Sequence, residues 1–157
     1  MPGTPATAAL SAAGIAFTEH TYDHDPANRN FGEEAAEALG LDPEEVFKTL
    51  LTDVDGQLTV AIVPVTGKLD LGALAKAAGG KRATMADPAI AQRKTGYVLG
   101  GISPIGQKSP HPTVVDETVE LFDKVYVSGG RRGFDIGLAP DDLIAVTSAI
   151  VAAIAKD

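Results

Sequence analysis

Lys48 stands in the run Val46-Phe47-Lys48-Thr49-Leu50-Leu51, where every neighbour but Thr49 is apolar. In a strand it shares a face with Val46 and Leu50, and Phe47, Thr49 and Leu51 take the other. Two readings are open. The stem can lie over apolar surface at a rim with the ammonium in water, or the ammonium can face a pocket that binds an anion or a polarised carbonyl. Spacing alone favours the rim. The second chemistry-bearing stretch is Gly96 to Lys108, GYVLGGISPIGQK. Tyr97-Val98-Leu99 reads as the start of a buried strand that runs into Gly100-Gly101. Glycines there mark either a bulge and turn or the close approach of a ligand to bare backbone N–H groups. Ser103, before Pro104, is pushed towards an extended or turn geometry. Tyr22, His24 and Asp25 leave the first strand together and invite an acid–base reading. The reading preferred is a loop whose aspartates bond backbone and whose histidines face solvent. Phe31, in an otherwise polar loop, is a hydrophobic plug or a wall for a planar ligand. Ser128-Gly129-Gly130 forms a turn, and Asp135 points away from the face held by Phe134 and Ile136. That face is either surface or the polar wall of a pocket.

Several chemistries are excluded. The 157 residues contain no cysteine, so no disulfide, thiolate metal site or cysteine nucleophile belongs to the chain. Three histidines, two of them in one short loop, make a zinc site an unpromising reading, and no cofactor is expected. There is no GxSxG, HExxH or Walker motif. A formal net charge of -8 argues against wrapping nucleic acid through the overall field. It leaves room for local basic patches, of which Lys81-Arg82, Arg93-Lys94 and Arg131-Arg132 are the candidates. No apolar run approaches a membrane span, and the N-terminal residues lack a basic leader, so the cytoplasm is the expected location.

The elements that must position these residues follow from local signals. Thr4 caps a helix that opens at Pro5 and closes at Gly14. Ile15–Tyr22 reads as a strand, residues 23–32 as a loop, and Glu33–Leu39 as a short helix closed by Gly40. Asp42 starts a brief turn of helix. Phe47–Val54 and Leu58–Val65 are strands joined at Asp55-Gly56, a two-residue hairpin signal. The run Val60-Ala61-Ile62-Val63 suits a strand covered on both faces. Asp70 and Asp87 each cap a helix, ended near Gly79 and Gly96. Thr113–Val115 is a strand, and Val125–Val127 with Phe134–Leu138 makes a second hairpin. A last helix is expected from Pro140 to Lys156, on the stripe Leu143, Val146, Ile150 and Ile154. Six or seven strands with interspersed short helices and two hairpins specify an α/β (α+β) domain with a mixed or antiparallel sheet, over residues 1–157.

Four stretches together resemble the YbaK/EbsC family of Cys-tRNA(Pro) deacylases, relatives of the editing domain of bacterial prolyl-tRNA synthetases. They are His20–Pro26, Asn30–Leu51, Met85–Lys108 and Val125–Pro140. The resemblance implies a curled, barrel-like mixed sheet and a pocket for the aminoacylated terminal adenosine of a tRNA. The family's essential lysine falls on Lys48, which it takes from the rim to the pocket. The backbone-contributing glycine falls in Gly100-Gly101, on Gly101. Pocket positions fall on Tyr22, Phe31, Thr49, Ser128 and Asp135. The implied reaction is attack by the substrate's own cysteine sulfur on its ester carbonyl, with Lys48 on the carbonyl side or on a phosphate. The partners implied are the 3′ end of tRNA(Pro) and a prolyl-tRNA synthetase. A deacylase for another amino acid, such as alanine, and a binding module without turnover are the alternatives.

Overall fold

The computed structural model describes residues 3–157. In chain order its elements are α1 (Pro5–Ala12), β1 (Thr18–Thr21), α2 (Phe31–Leu39), a 3-10 turn (Pro43–Glu45), β2 (Phe47–Val54), β3 (Gln57–Pro64), β4 (Lys68–Leu69), α3 (Leu71–Ala77), β5 (Ala83–Met85), α4 (Pro88–Thr95), β6 (Thr113–Asp116), a 3-10 segment (Glu117–Leu121), β7 (Val125–Arg131), β8 (Phe134–Leu138), α5 (Pro140–Thr147), β9 (Ile150–Ala152) and β10 (Ala155–Lys156). The helix starts are chemical. The Thr4 hydroxyl accepts from Thr7 N, and Thr7 Oγ1 accepts from Thr4 N, a reciprocal cap. The Asp70 and Asp87 carboxylates accept the first free amides of α3 and α4.

The frame is a five-stranded mixed sheet in the order β5-β2-β3-β6-β9. Asp55 and Gly56 both take positive φ, 51° and 91°, the twist that a two-residue hairpin requires. Pairing then runs without a slip from Phe47↔Pro64 to Val54↔Gln57. The continuous apolar run of β3 is explained by two cores. Leu58, Val60 and Ile62 enter the larger one, and Ala61 and Val63 enter a second, against Leu74, Val114 and Ile154. A three-stranded sheet, β1-β8-β7, packs on the larger core through Val125, Val127, Phe134, Ile136 and Leu138. A bridge from Val46 to Tyr126 links the two sheets at the start of β2. The five-stranded sheet ends on β5 and β9 and does not close into a barrel.

The chain departs from the sequence expectations in three places. Ten strands form among the described residues, four of them only two or three residues long, where six or seven were expected. Tyr97–Leu99 is not a strand. Gly96 and Gly100, each at φ 83°, enclose it, Gly101 N closes a turn on Val98 O, and Val98 is 55% exposed. The last helix stops at Thr147, with Ser148 left-handed, and Ile150 and Ile154 belong to the strand region that follows. The parallel edge of β6 takes β9 in register, Val114↔Ile150 to Asp116↔Ala152, and β-branched Ile150-Val151 suits a strand better than a helix end. Asp116, 2% exposed, fixes the crossing: its Oδ1 accepts from Ile154 N at 2.9 Å and Ala155 N at 2.8 Å.

Candidate active site

A cavity of about 360 Å³ opens where the first half of β2 meets the start of α2, the 98–100 turn and the β7–β8 hairpin. Tyr22, Phe31, Lys48, Thr49, Gly100, Ser128 and Asp135 line it, from five separate stretches of sequence. Each position has a local cause. Phe31 opens α2 and is held beside the loop that precedes it. Lys48 and Thr49 are successive residues of β2, paired with Val63 and Ile62. Ser128 and Asp135 face each other across the β7–β8 ladder, just before an irregularity at Gly129-Gly130.

The cavity's polar groups are poorly matched within the chain. Lys48 is half-buried, makes no ion pair with a described residue, and burial lowers its pKa; Glu33 opposes that shift and Lys68 adds to it. Thr49 Oγ1 is buried with no hydrogen-bond partner. Asp135 is 6% exposed, no described residue donates to its carboxyl, and burial raises its pKa to about 7. Tyr22 is pushed up to about 12, first by burial and then by the charges of Asp135 and Glu34. Buried polar groups without partners are costly, so such a set marks a place where a guest supplies the partner. A lysine, a hydroxyl and a carboxyl around an apolar floor of Phe31, Phe47 and Ile102 suit a small ligand with both polar and apolar parts.

The two glycines have different places. Gly101 lies behind the wall: it is buried, its N–H donates to Val98 O at 2.9 Å, and an added Cβ would stand 2.6 Å from Arg131 Cα. The structure does not bring it to the cavity. Gly100 is on the wall, and an added Cβ would stand 2.5 Å from the Phe31 ring. Its neighbours are tied: Leu99 N donates to Gln92 Oε1 at 2.8 Å, and Leu99 O accepts from Arg132 Nε at 2.7 Å. The Gly100 N–H has no acceptor among the described residues, so on the cavity wall it is a backbone donor that the turn leaves open.

His24 does not face solvent. Its Nδ1 lies 2.6 Å from Glu34 Oε1, with side-chain exposures of 14% and 8%, and its ring sits 5.4 Å from Phe31. Glu34 Oε2 accepts from Asp25 N. The Asp25 carboxylate bonds backbone, accepting from Ala27 N, as a loop aspartate is expected to. His20 is half-buried on β1, edge-on to Tyr126 at 5.3 Å. Arg29 and Arg132 also frame the site. Arg29 lines the cavity, and the Arg132 guanidinium lies 5.4 Å over the Phe31 ring. The sequence analysis passed over Arg29 and took Arg132 only as half of a basic surface pair, because an arginine in a polar loop or hairpin tip carries no site signal until Phe31 is seen beneath it.

Residues 26–146 match the family model of the aminoacyl-tRNA editing domain. The chain is 40% identical over 118 residues to the EbsC protein of Enterococcus faecalis, provisionally described as a Cys-tRNA(Pro)/Cys-tRNA(Cys) deacylase, covering 74% of this chain and 71% of that one. It is 28% identical over 102 residues to the proline–tRNA ligase of Shouchella clausii, 65% of this chain but 18% of the ligase. A crystal structure provisionally described as a trans-editing enzyme for prolyl-tRNA synthetase superposes with a TM-score of 0.83 at 27% identity, over 98% of this chain and 96% of that one. With the family model spanning most of its length and the fold shared end to end, the chain belongs to the aminoacyl-tRNA editing domain family.

Proposed function

We propose that the protein is a trans-editing deacylase that removes cysteine from mischarged Cys-tRNA(Pro). The observation that carries this reading is a cavity rich in binding groups and poor in nucleophiles. Neither Thr49 nor Ser128 hydrogen-bonds a histidine, and the sequence has no thiol. On this reading, which follows the family resemblance, the nucleophile is the substrate's own. The cysteinyl sulfur attacks the ester carbonyl, an S–C bond forms, the bond to the ribose oxygen breaks, and the thiol proton ends on that oxygen. The products are a cyclic thioester and free tRNA. Because the nucleophile is tethered, the protein's task is to fold the aminoacyl group into an attack geometry. The Gly100 N–H is the candidate donor to the developing oxyanion. Lys48 holds the carbonyl side or the adjoining phosphate, and the half-buried ammonium serves either purpose. Phe31 forms the wall against the terminal adenine. A standing complex with prolyl-tRNA synthetase would present the substrate.

Release of amino acid from Cys-, Ala- and Ser-charged tRNA(Pro) tests the reading. Cysteine should leave fastest. Serine, nearly the same size but with a hydroxyl in place of the thiol, should bind comparably and leave very slowly. A rapid quench should find the cyclic thioester before free cysteine. Lys48→Ala should lose most activity while its Tm stays within a few degrees. Equal rates for cysteine and serine would replace the substrate thiol with an activated water. Binding without release from any of the three would make the protein a capture module.

A further inference from the structure

We infer that α4, with the segments on either side of it, is an RNA-docking face that seats the phosphates of the acceptor arm beside the cavity. The inference rests on the function proposed above. Charge along the chain is strongly segregated. Residues 71–115 carry six basic side chains and one acidic one, net +5, so the remaining residues hold -13 of the total -8. The six are Lys76, Lys81, Arg82, Arg93, Lys94 and Lys108, all exposed, and none forms an ion pair with a described residue. The one acid, Asp87, caps the far end of α4 and spends its carboxylate on Ala89 N and Ile90 N.

Three observations join this face to the site. Lys108 N donates to Thr95 O at 2.8 Å, which brings Lys108 beside Arg93 and Lys94 at the end of α4. Gln92, from the same turn of helix, holds Leu99 N at 2.8 Å, and Leu99 is part of the cavity wall. Of the six large apolar side chains left exposed among the described residues, Met85, Ile90, Val98 and Leu99 lie in this one segment. The path from the cavity thus leads over an apolar lip onto a cationic face. An RNA whose unpaired end enters a pocket, and whose duplex lies outside it, presents groups in that order: exposed bases first, then closely spaced phosphates. Repulsion from the -13 remainder favours the orientation that places the polyanion here. Unpaired cations give counterion release, the sequence-independent source of affinity for nucleic acid.

The test uses the full chain and the double variant Arg93→Glu/Lys94→Glu, with Arg93→Gln/Lys94→Gln as a milder pair. Uncharged tRNA(Pro) binding, read by fluorescence anisotropy across a salt series, should weaken about tenfold for the Glu pair near 0.1 M salt, and the slope of log K against log salt should flatten by about 1.5. The Gln pair should move both in the same direction by less. On Cys-tRNA(Pro) the KM should rise with kcat kept, and cleavage of a cysteinyl ester of a short CCA trinucleotide should be unchanged. Unchanged affinity and slope, or equal losses on tRNA and trinucleotide, would overturn the docking face. Because the binding measurement needs no turnover, a protein that cleaves neither substrate yet shows the salt effect would refute the deacylase reading and keep the docking face.

Discussion

Burying Asp135 without a donor to its carboxyl has a cost that depends on pH. Its folded pKa, about 7, stands above the ordinary carboxylate value. Below about pH 4 the group is neutral folded and unfolded, and folding is unaffected. As pH rises towards 7 the unfolded chain ionises first, so stability falls. Above 7 the full cost is present, at most about 4 kcal/mol. Asp135→Asn removes the charge with little change of shape. Its Tm should exceed that of the parent at pH 8, and the gain should shrink towards pH 4.5. A gain of the same size at both pH values would mean that the carboxyl is not held neutral by burial. Lys48 shows the complementary case, an ammonium whose burial eases loss of its proton at the same cavity.

Elements meet the site through a few tethers, and Asp116 is the one that decides how the chain ends. Burial pushes its pKa up, but hydrogen bonds from Thr118, Ala155 and Ile154 outweigh that and hold the carboxyl below its ordinary value. Its contribution is therefore full above the ordinary carboxylate range and is lost as pH falls from there through the lower folded value. Asp116→Ala leaves the Ile154 and Ala155 amides without their acceptor, at a cost of about 3 kcal/mol. For a chain of this size that corresponds to roughly 6–12 °C in Tm at pH 7. Thermal melting checks it, and a loss under 2 °C would show that pairing of β9 along β6 suffices without the tether. The 98–101 turn has a comparable dependence on its tethers. Gln92 and Arg132 hold Leu99 from two sides, and Gly101 packs on the hairpin backbone, so Gly100 is presented by neighbours rather than by its own preference.

The whole molecule carries -8, and the one close contact of opposite types among the described residues, His24–Glu34, is an ion pair only while the imidazole is protonated. Net repulsion and the gain from specific pairs both weaken with added salt, and here there is little of the second to lose. Raising sodium chloride from 20 to 300 mM at pH 8 should therefore raise the Tm by a few degrees, whereas RNA affinity falls over the same range. A scanning-fluorimetry series measures the first. A Tm that drops with salt would point to stabilising charge pairs that the fold does not display.

Features set by short-range chemistry were legible in the sequence. Asp55-Gly56 specified a hairpin because Asp-Gly is one of the few pairings that tolerate two positive φ values cheaply. Thr4, Asp70 and Asp87 specified helix starts because their oxygens reach the first free amides. The unbroken apolar run of β3 announced burial on two sides, which the two cores realise. Lys48 was conspicuous as a cation among apolar neighbours, but spacing placed it at a rim, and only the meeting of β2 with α2 and the β7–β8 hairpin puts it on a cavity. Gly100 and Gly101 were indistinguishable as letters, since the difference lies in what approaches each: the Phe31 ring on one, the Arg131 backbone on the other. The stripe Leu143, Val146, Ile150 and Ile154 fits a helix by period, yet an open edge on β6 draws Ile150 into β9 and the Asp116 carboxylate holds Ile154 in the extended crossing that follows. Local preference decides a turn or a cap, where the competing conformations differ within a few residues. Partners more than thirty residues away decide a cavity wall and a chain end, and no local pattern encodes them.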